Sequence, residues 1–193
     1  MNPHEPDLRR IAPGNAAKLY GAIVAQARLP VFYRSLSVPD TLQGRFLVLS
    51  LHLFALLYRL KGEGAEALNL AQGLSDRFTA DMEVVMREIG VGDLSIPKKM
   101  RGLAAASAAL FSSYAEALPA GEEALARAIA EAVPLGEAEG LAGDATSALS
   151  RYLIAMTNML EGQSLAALCN GEIQFPKACG GGLRNGGPND QRS

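Results

Sequence analysis

The 193-residue sequence contains no tryptophan, and histidine and cysteine occur only twice each. These absences weigh against most catalytic chemistry. His4 lies in a polar N-terminal stretch, so a Ser-His-Asp or Cys-His nucleophile set would rest entirely on His52. His52 in turn sits among leucines in the most apolar part of the chain, the setting of a satisfied core or interface histidine. Cys169 and Cys179 are ten residues apart and have no companions at metal-ligand spacing. Two thiols in a chain of this size point to a reducing compartment rather than a disulfide framework. The residue inventory therefore implies no enzyme, no metal and no cofactor.

An excess of charge of either sign is also lacking. Eighteen basic residues stand against twenty acidic ones, a net charge of −2. No overall basic field would draw the protein to DNA or anionic lipid, and any such attraction must be local. Long hydrophobic runs are missing too. The most apolar stretch, Phe46 to Tyr58, is thirteen residues long and bracketed by Arg45 and Arg59. A bilayer core needs about 20 apolar residues, so this run reads as a central core helix. Residues 1–13 carry three prolines and no apolar run, which predicts a flexible N-terminus that is neither a secretory signal nor a presequence. The corresponding expectation is a cytoplasmic protein.

What the sequence does contain is helical periodicity. Pro13-Gly14-Asn15 opens a first helix to about Arg28, with Leu19, Tyr20, Ile23, Val24 and Ala27 on one face. Pro30 ends it, and residues 31–36 form a short apolar turn or one further helical turn. Pro39-Asp40-Thr41 opens the second helix, since proline fits a first turn and Asp40 complements its positive end. Leu42, Phe46, Leu49, Leu53, Leu56 and Leu60 make one stripe, and Leu47, Leu51, Phe54 and Tyr58 another, so this helix is surrounded by others. Lys61-Gly62-Glu63-Gly64 stops it.

The third helix, about Ala65 to Ile89, is predicted to bury Leu68, Ala71, Leu74, Phe78, Met82, Val85 and Ile89. Asp93 and Ser95 are plausible caps for a fourth helix, with Pro97 in its first turn and an end near Leu118. Helices over 122–133, 144–161 and 164–169 follow, rich in alanine, which favours helix but buries little surface. From Pro176 onward glycine, asparagine and charge predict a disordered tail. The fold class is all-α, a compact multi-helix bundle over residues 14–175, made of a core to 118 and an alanine-rich extension over 119–175, with disordered tails at both ends.

Two short motifs invite a functional reading. Gly90-Val91-Gly92-Asp93 resembles a nucleotide-binding loop only superficially: it follows a helix, and no third glycine or Gly-Lys-Ser/Thr ending is present. A tight helix–helix corner explains it more simply. In Lys98-Lys99-Met100-Arg101, three cations occupy the first turns of a helix, where the dipole opposes each by about 0.3–1 kcal/mol. An arriving anion would suit them, whether an acidic protein surface, RNA phosphate or lipid headgroups. The plainer reading is a solvated basic corner neutralised by Asp93 or by the acidic face of the preceding helix.

Taken in order, several segments carry a family likeness: Leu19-Tyr20, Gln26-Ala27-Arg28 with Pro30, Phe32-Tyr33, Val38-Pro39-Asp40-Thr41, Gly44-Arg45-Phe46, Leu51-His52-Leu53-Phe54, Arg59-Leu60, Phe78-Thr79-Ala80-Asp81-Met82, residues 87–94 from Arg87 to Leu94, and Pro97-Lys98-Lys99-Met100. In order and approximate spacing, through about residue 118, the chain resembles the ubiquinol–cytochrome c chaperone family. It departs at Phe111-Ser112-Ser113-Tyr114, where the family tends to carry a Tyr-Gly-Arg-like segment.

The resemblance implies a non-enzymatic factor that binds newly made cytochrome b and helps assemble respiratory complex III, with mitochondrial relatives also engaging the ribosome. It also leaves room for peripheral attachment at the cytoplasmic face of the inner membrane. The candidate residues for client or partner binding are Phe32, Tyr33, Arg45, His52, Phe78, Asp81, Arg87, Glu88, Lys98 and Lys99 from the segments that carry the resemblance, with Arg101 from the basic corner. The rival readings are a helical haem or quinone pocket around His52 and a generic helical adaptor.

Overall fold

A computed structural model describes residues 13–131 and 143–178. Residues 1–12, Val133, Cys179 and the remainder of the expected tail lie outside the described residues. Those described form helices and connecting turns, without a strand. In chain order the helices are α1 (Pro13–Ala27), α2 (Pro30–Arg34), α3 (Leu42–Leu60), α4 (Ala65–Glu88) and α5 (Ile96–Ala117), then a 3-10 turn (Leu118–Ala120), α6 (Glu122–Ala130), α7 (Gly143–Glu161) and α8 (Leu165–Cys169).

The apolar run at Phe46–Tyr58 lies within α3, and twelve of the 19 residues of α3 are buried. Around it stand α1, α4, α5 and α7, while α6 packs on α5 and α7, and α8 on α1 and α4. Among the described residues no helix is long and apolar enough to cross a membrane.

The start of α3 shows how a short sequence fixes a local shape. The Thr41 hydroxyl accepts a hydrogen bond from the Gly44 amide at 3.2 Å, the geometry of an N-cap. Val38 is buried just before it, and Asp40 reaches forward to Arg45 at 2.7 Å. Any Cβ at position 44 would overlap the Pro39 carbonyl, so the approach requires glycine. At the other end of α4, Gly90 adopts φ +86°; its amide bonds to Arg87 O and the Val91 amide to Met86 O, each at 3.0 Å. This is a Schellman ending, and it fulfils the expectation of a corner at Gly90-Val91-Gly92.

The buried face of α4 differs from the expected stripe. Leu68 and Ile89 are 68% and 58% exposed, and the buried row is Ala67, Leu70, Leu74, Phe78, Met82 and Met86. After Ala67 that row advances in steps of three and then four, four, four and four. It follows the i±4 ridge, which is inclined to the helix axis, so the two ends of the expected stripe rotate outward.

The C-terminal stretch extends the packed region past the expected boundary. Pro176 is buried, and Ile173, Phe175 and Ala178 pack against the core. Gln163 holds this stretch in place: its side chain accepts from the Gln174 amide at 2.8 Å and donates to the Gln174 carbonyl at 3.0 Å.

Candidate functional site

A groove of about 410 Å³ opens between the C-terminal end of α1, the start of α3 and the last turns of α4. Val24 and Ala27 come from α1; Leu42, Phe46 and Leu49 from α3; Met82, Val85, Met86 and Ile89 from α4; and Leu103 from α5. Polar groups are confined to Arg28, Tyr33, Gln43, Arg45 and Asp81. Leu42 and Ile89 are large apolar residues left exposed on the lining. Two methionines one helical turn apart add a flexible, polarizable wall that adapts to varied apolar shapes.

A second, more polar recess of about 360 Å³ shares Arg28, Tyr33 and Arg45 with the groove and adds Pro30, Arg34 and Asp40. The polar rim is built from structural bonds. Tyr33 donates its hydroxyl hydrogen to the Ala27 carbonyl at 2.8 Å, closing the end of α1. Arg45 holds the Asp40 carboxyl below the usual carboxylate range. Tyr20 donates to Asp81 at 3.0 Å, and burial, with the Asp81 charge beside it, pushes its phenol well above the ordinary value. Among the described residues no ion pair forms at Arg28 or Arg34, so both guanidinium groups remain free for an occupant.

Of the expected site residues, Tyr33, Arg45 and Asp81 are brought together on this groove. Phe78 is buried behind it, 6.0 Å from Phe46 between ring centroids. Phe32 and His52 belong to the core instead, each fully buried. Arg87 is engaged by Glu83 at 2.7 Å and Asp93 at 3.5 Å. Glu88 is exposed in the last turn of α4, and Lys98, Lys99 and Arg101 are exposed in the first turns of α5. Asp93 therefore neutralises Arg87 rather than the lysines.

The groove is also lined by Arg28, which the sequence patterning does not single out, and by Leu42, Leu49, Met82 and Val85, which it assigns to the core. The available signal was weak: an arginine directly after an apolar helix face and a pair of methionines four apart.

His52 is saturated. Its Nδ1–H donates to the Val48 carbonyl at 2.7 Å, and its Nε2 accepts from the Tyr152 hydroxyl at 2.9 Å. Gln26 donates to the same hydroxyl at 3.2 Å. Phe32, Tyr152 and Phe175 surround the imidazole with ring centroids 5.4–5.7 Å away. Burial pushes the His52 pKa down to about 4, partly offset by the bond to Val48. Among the described residues no cluster of three or more His, Cys, Asp or Glu side chains is placed to hold a metal.

The arrangement is a helical bundle carrying an apolar, methionine-lined groove with arginines at its mouth. The family described as ubiquinol-cytochrome C chaperone matches residues 34–175, nearly three-quarters of the sequence. The chain belongs to that family. The match begins after the Leu19–Tyr33 segments and runs through the alanine-rich half, well past residue 118.

The crystal structure of the Cbp3 homolog from Brucella abortus is similar at 33% identity with a TM-score of 0.76, covering 87% of this chain and 92% of that one. Ubiquinol-cytochrome-c reductase complex assembly factor 1 of Xenopus laevis is 27% identical over 88 residues. That stretch is 46% of this chain and 44% of the relative, so the chain aligns with less than half of the relative's length.

Proposed function

We propose that this protein is a non-enzymatic assembly factor for ubiquinol–cytochrome c reductase that holds an apolar segment of cytochrome b in the groove between α1, α3 and α4. The observation that carries this reading is the groove itself, whose lining leaves Leu42 and Ile89 in contact with solvent. An apolar client segment would cover these side chains and gain about 25 cal/mol per Å² of apolar surface removed from water. Arg28, Arg34 and Arg45 at the mouth would fix the segment's polar end. Family membership supports the assignment to complex III, and cytochrome b is the client that the family resemblance implies.

A photo-reactive residue introduced at Leu42 or Val85 tests this. Cross-links from these positions to cytochrome b, and none from Leu68 at the far end of α4, are the expected result. Loss of complex III from membranes of a deletion strain, restored by complementation, is expected alongside. Unchanged complex III in that strain would overturn the reading. A haem site on His52 finds no support in the geometry, because an iron would have to break the Tyr152 hydrogen bond and displace the packed Phe32 or Phe175 ring.

A further inference from the structure

The corner between α4 and α5 carries two features that the groove does not use. Leu94 is fully exposed at 101%, and Ile89 is 58% exposed five residues before it. Single exposed apolar residues are ordinary on a surface. Here the pair is flanked by Lys98, Lys99 and Arg101, all exposed and none in an ion pair among the described residues.

The acids of the corner are Glu83, Glu88 and Asp93. All three precede α5, and Glu83 and Asp93 engage Arg87. Along α5 the first acid is Glu116, near its far end. The N-terminal half of α5 is thus a one-sign surface beside an apolar tip. Together these are the two elements of peripheral bilayer attachment: basic side chains for anionic headgroups and an apolar side chain for the acyl boundary.

We propose that the α4–α5 corner docks on an anionic lipid surface, with Leu94 entering the headgroup layer and Lys98, Lys99 and Arg101 meeting lipid phosphates. Ile89 belongs both to this corner and to the groove lining, and Leu103 lies one turn further along α5. Docking would therefore bring the groove close to the bilayer, where an apolar client segment enters or leaves it. That consequence rests on the proposed function; the docking itself does not.

Flotation of the full chain with vesicles of phosphatidylcholine alone, and of phosphatidylcholine with phosphatidylglycerol in equal parts, tests the proposal. The expected result is binding to the anionic vesicles that weakens as salt is added. The Lys98→Gln/Lys99→Gln/Arg101→Gln variant is expected to lose on the order of 100-fold in affinity, at roughly fivefold per cation. Leu94→Gln, which leaves the charge intact, is expected to lose about tenfold. All four positions are exposed, so unchanged circular dichroism melts will verify folding.

Equal binding to both vesicle types, or full-strength binding by either variant, would overturn the proposal. So would capture of RNA by the same basic residues without vesicle binding. Vesicle binding that persists while Leu42 and Val85 yield no cross-link to cytochrome b would leave the docking standing and the client reading refuted.

Discussion

The two ends of α3 contrast sharply. Its N-terminal turns line an open groove where apolar side chains meet solvent and where, among the described residues, Arg28 and Arg34 form no ion pair. Its middle and C-terminal turns pack along α7 in a seam, with a recess of about 260 Å³ between Tyr58, Arg59, Thr157 and Glu161. There Gln26, His52 and Tyr152 form one continuous hydrogen-bond chain ending on Val48. Further along, Arg59 donates to the Leu160 and Gln163 carbonyls at 3.0 and 3.2 Å and pairs with Glu63 at 2.7 Å. Its guanidinium thus caps the turn that follows α7, sharing the Leu160 carbonyl with the Gln163 amide. Saturated polar groups hold elements in register, while unsatisfied ones beside an apolar trough are available to something else. The comparison separates the residues that maintain the fold from those that offer a surface.

The seam should break most readily at its centre. Phe32→Ala removes a fully buried ring packed edge-on against His52 and Tyr152 and should cost about 3–5 kcal/mol in urea unfolding. Acid should act on the same place. The folded pKa of His52 lies near 4, below its ordinary 6.5, so below pH 6.5 the unfolded chain takes up the proton that the folded one refuses. The contribution of the neutral imidazole is complete above pH 6.5. It is lost as pH falls toward 4, at roughly 1.4 kcal/mol per unit. A His52→Gln variant should lack this part of the pH dependence; the same slope in both proteins would show that His52 is not its source.

Tyr152→Phe leaves His52 Nε2 and the Gln26 amide without their shared partner and should cost about 1–3 kcal/mol, measured by chemical denaturation. The groove should respond in the opposite way. Leu42→Asp alters a side chain already 40% exposed, so stability should stay within about 0.5 kcal/mol while client cross-linking falls sharply. A Leu42→Asp protein that melts early would mean that the groove wall belongs to the fold after all. The smallest expected change is for Asp40→Asn, whose ion pair with Arg45 is fully at the surface; the melting midpoint should not move measurably.

How far the sequence revealed these regions follows from the range of the interactions. Helix limits are legible where their signals are local, at Thr41 before α3 and Gly90 at the end of α4, although Pro39, expected in the first turn of α3, precedes its cap. The buried face of α4 was legible at Leu74, Phe78 and Met82 but not at Leu68 or Ile89, because helix crossing geometry decides the ends. Tyr33, Arg45 and Asp81 were identified individually through the family likeness, yet no pattern in the sequence announces that one groove unites them. The partner of His52, Tyr152, stands 100 residues away in a stretch where alanine-rich helices offer few landmarks. Periodicity indicates that a histidine is inside; only the fold shows what saturates it.

The hydrogen bond from the Asn15 side chain to the Cys169 carbonyl, 2.8 Å across 154 residues of sequence, ties α8 to α1. With Gly171 packed on Lys18, it makes α8 a clasp on the opening turns of α1. α1 also contributes Val24 and Ala27 to the groove, and Arg28 directly follows it. A single helix therefore carries the clasp at its N-terminal end and the groove lining at its C-terminal end, so the two share one rigid element.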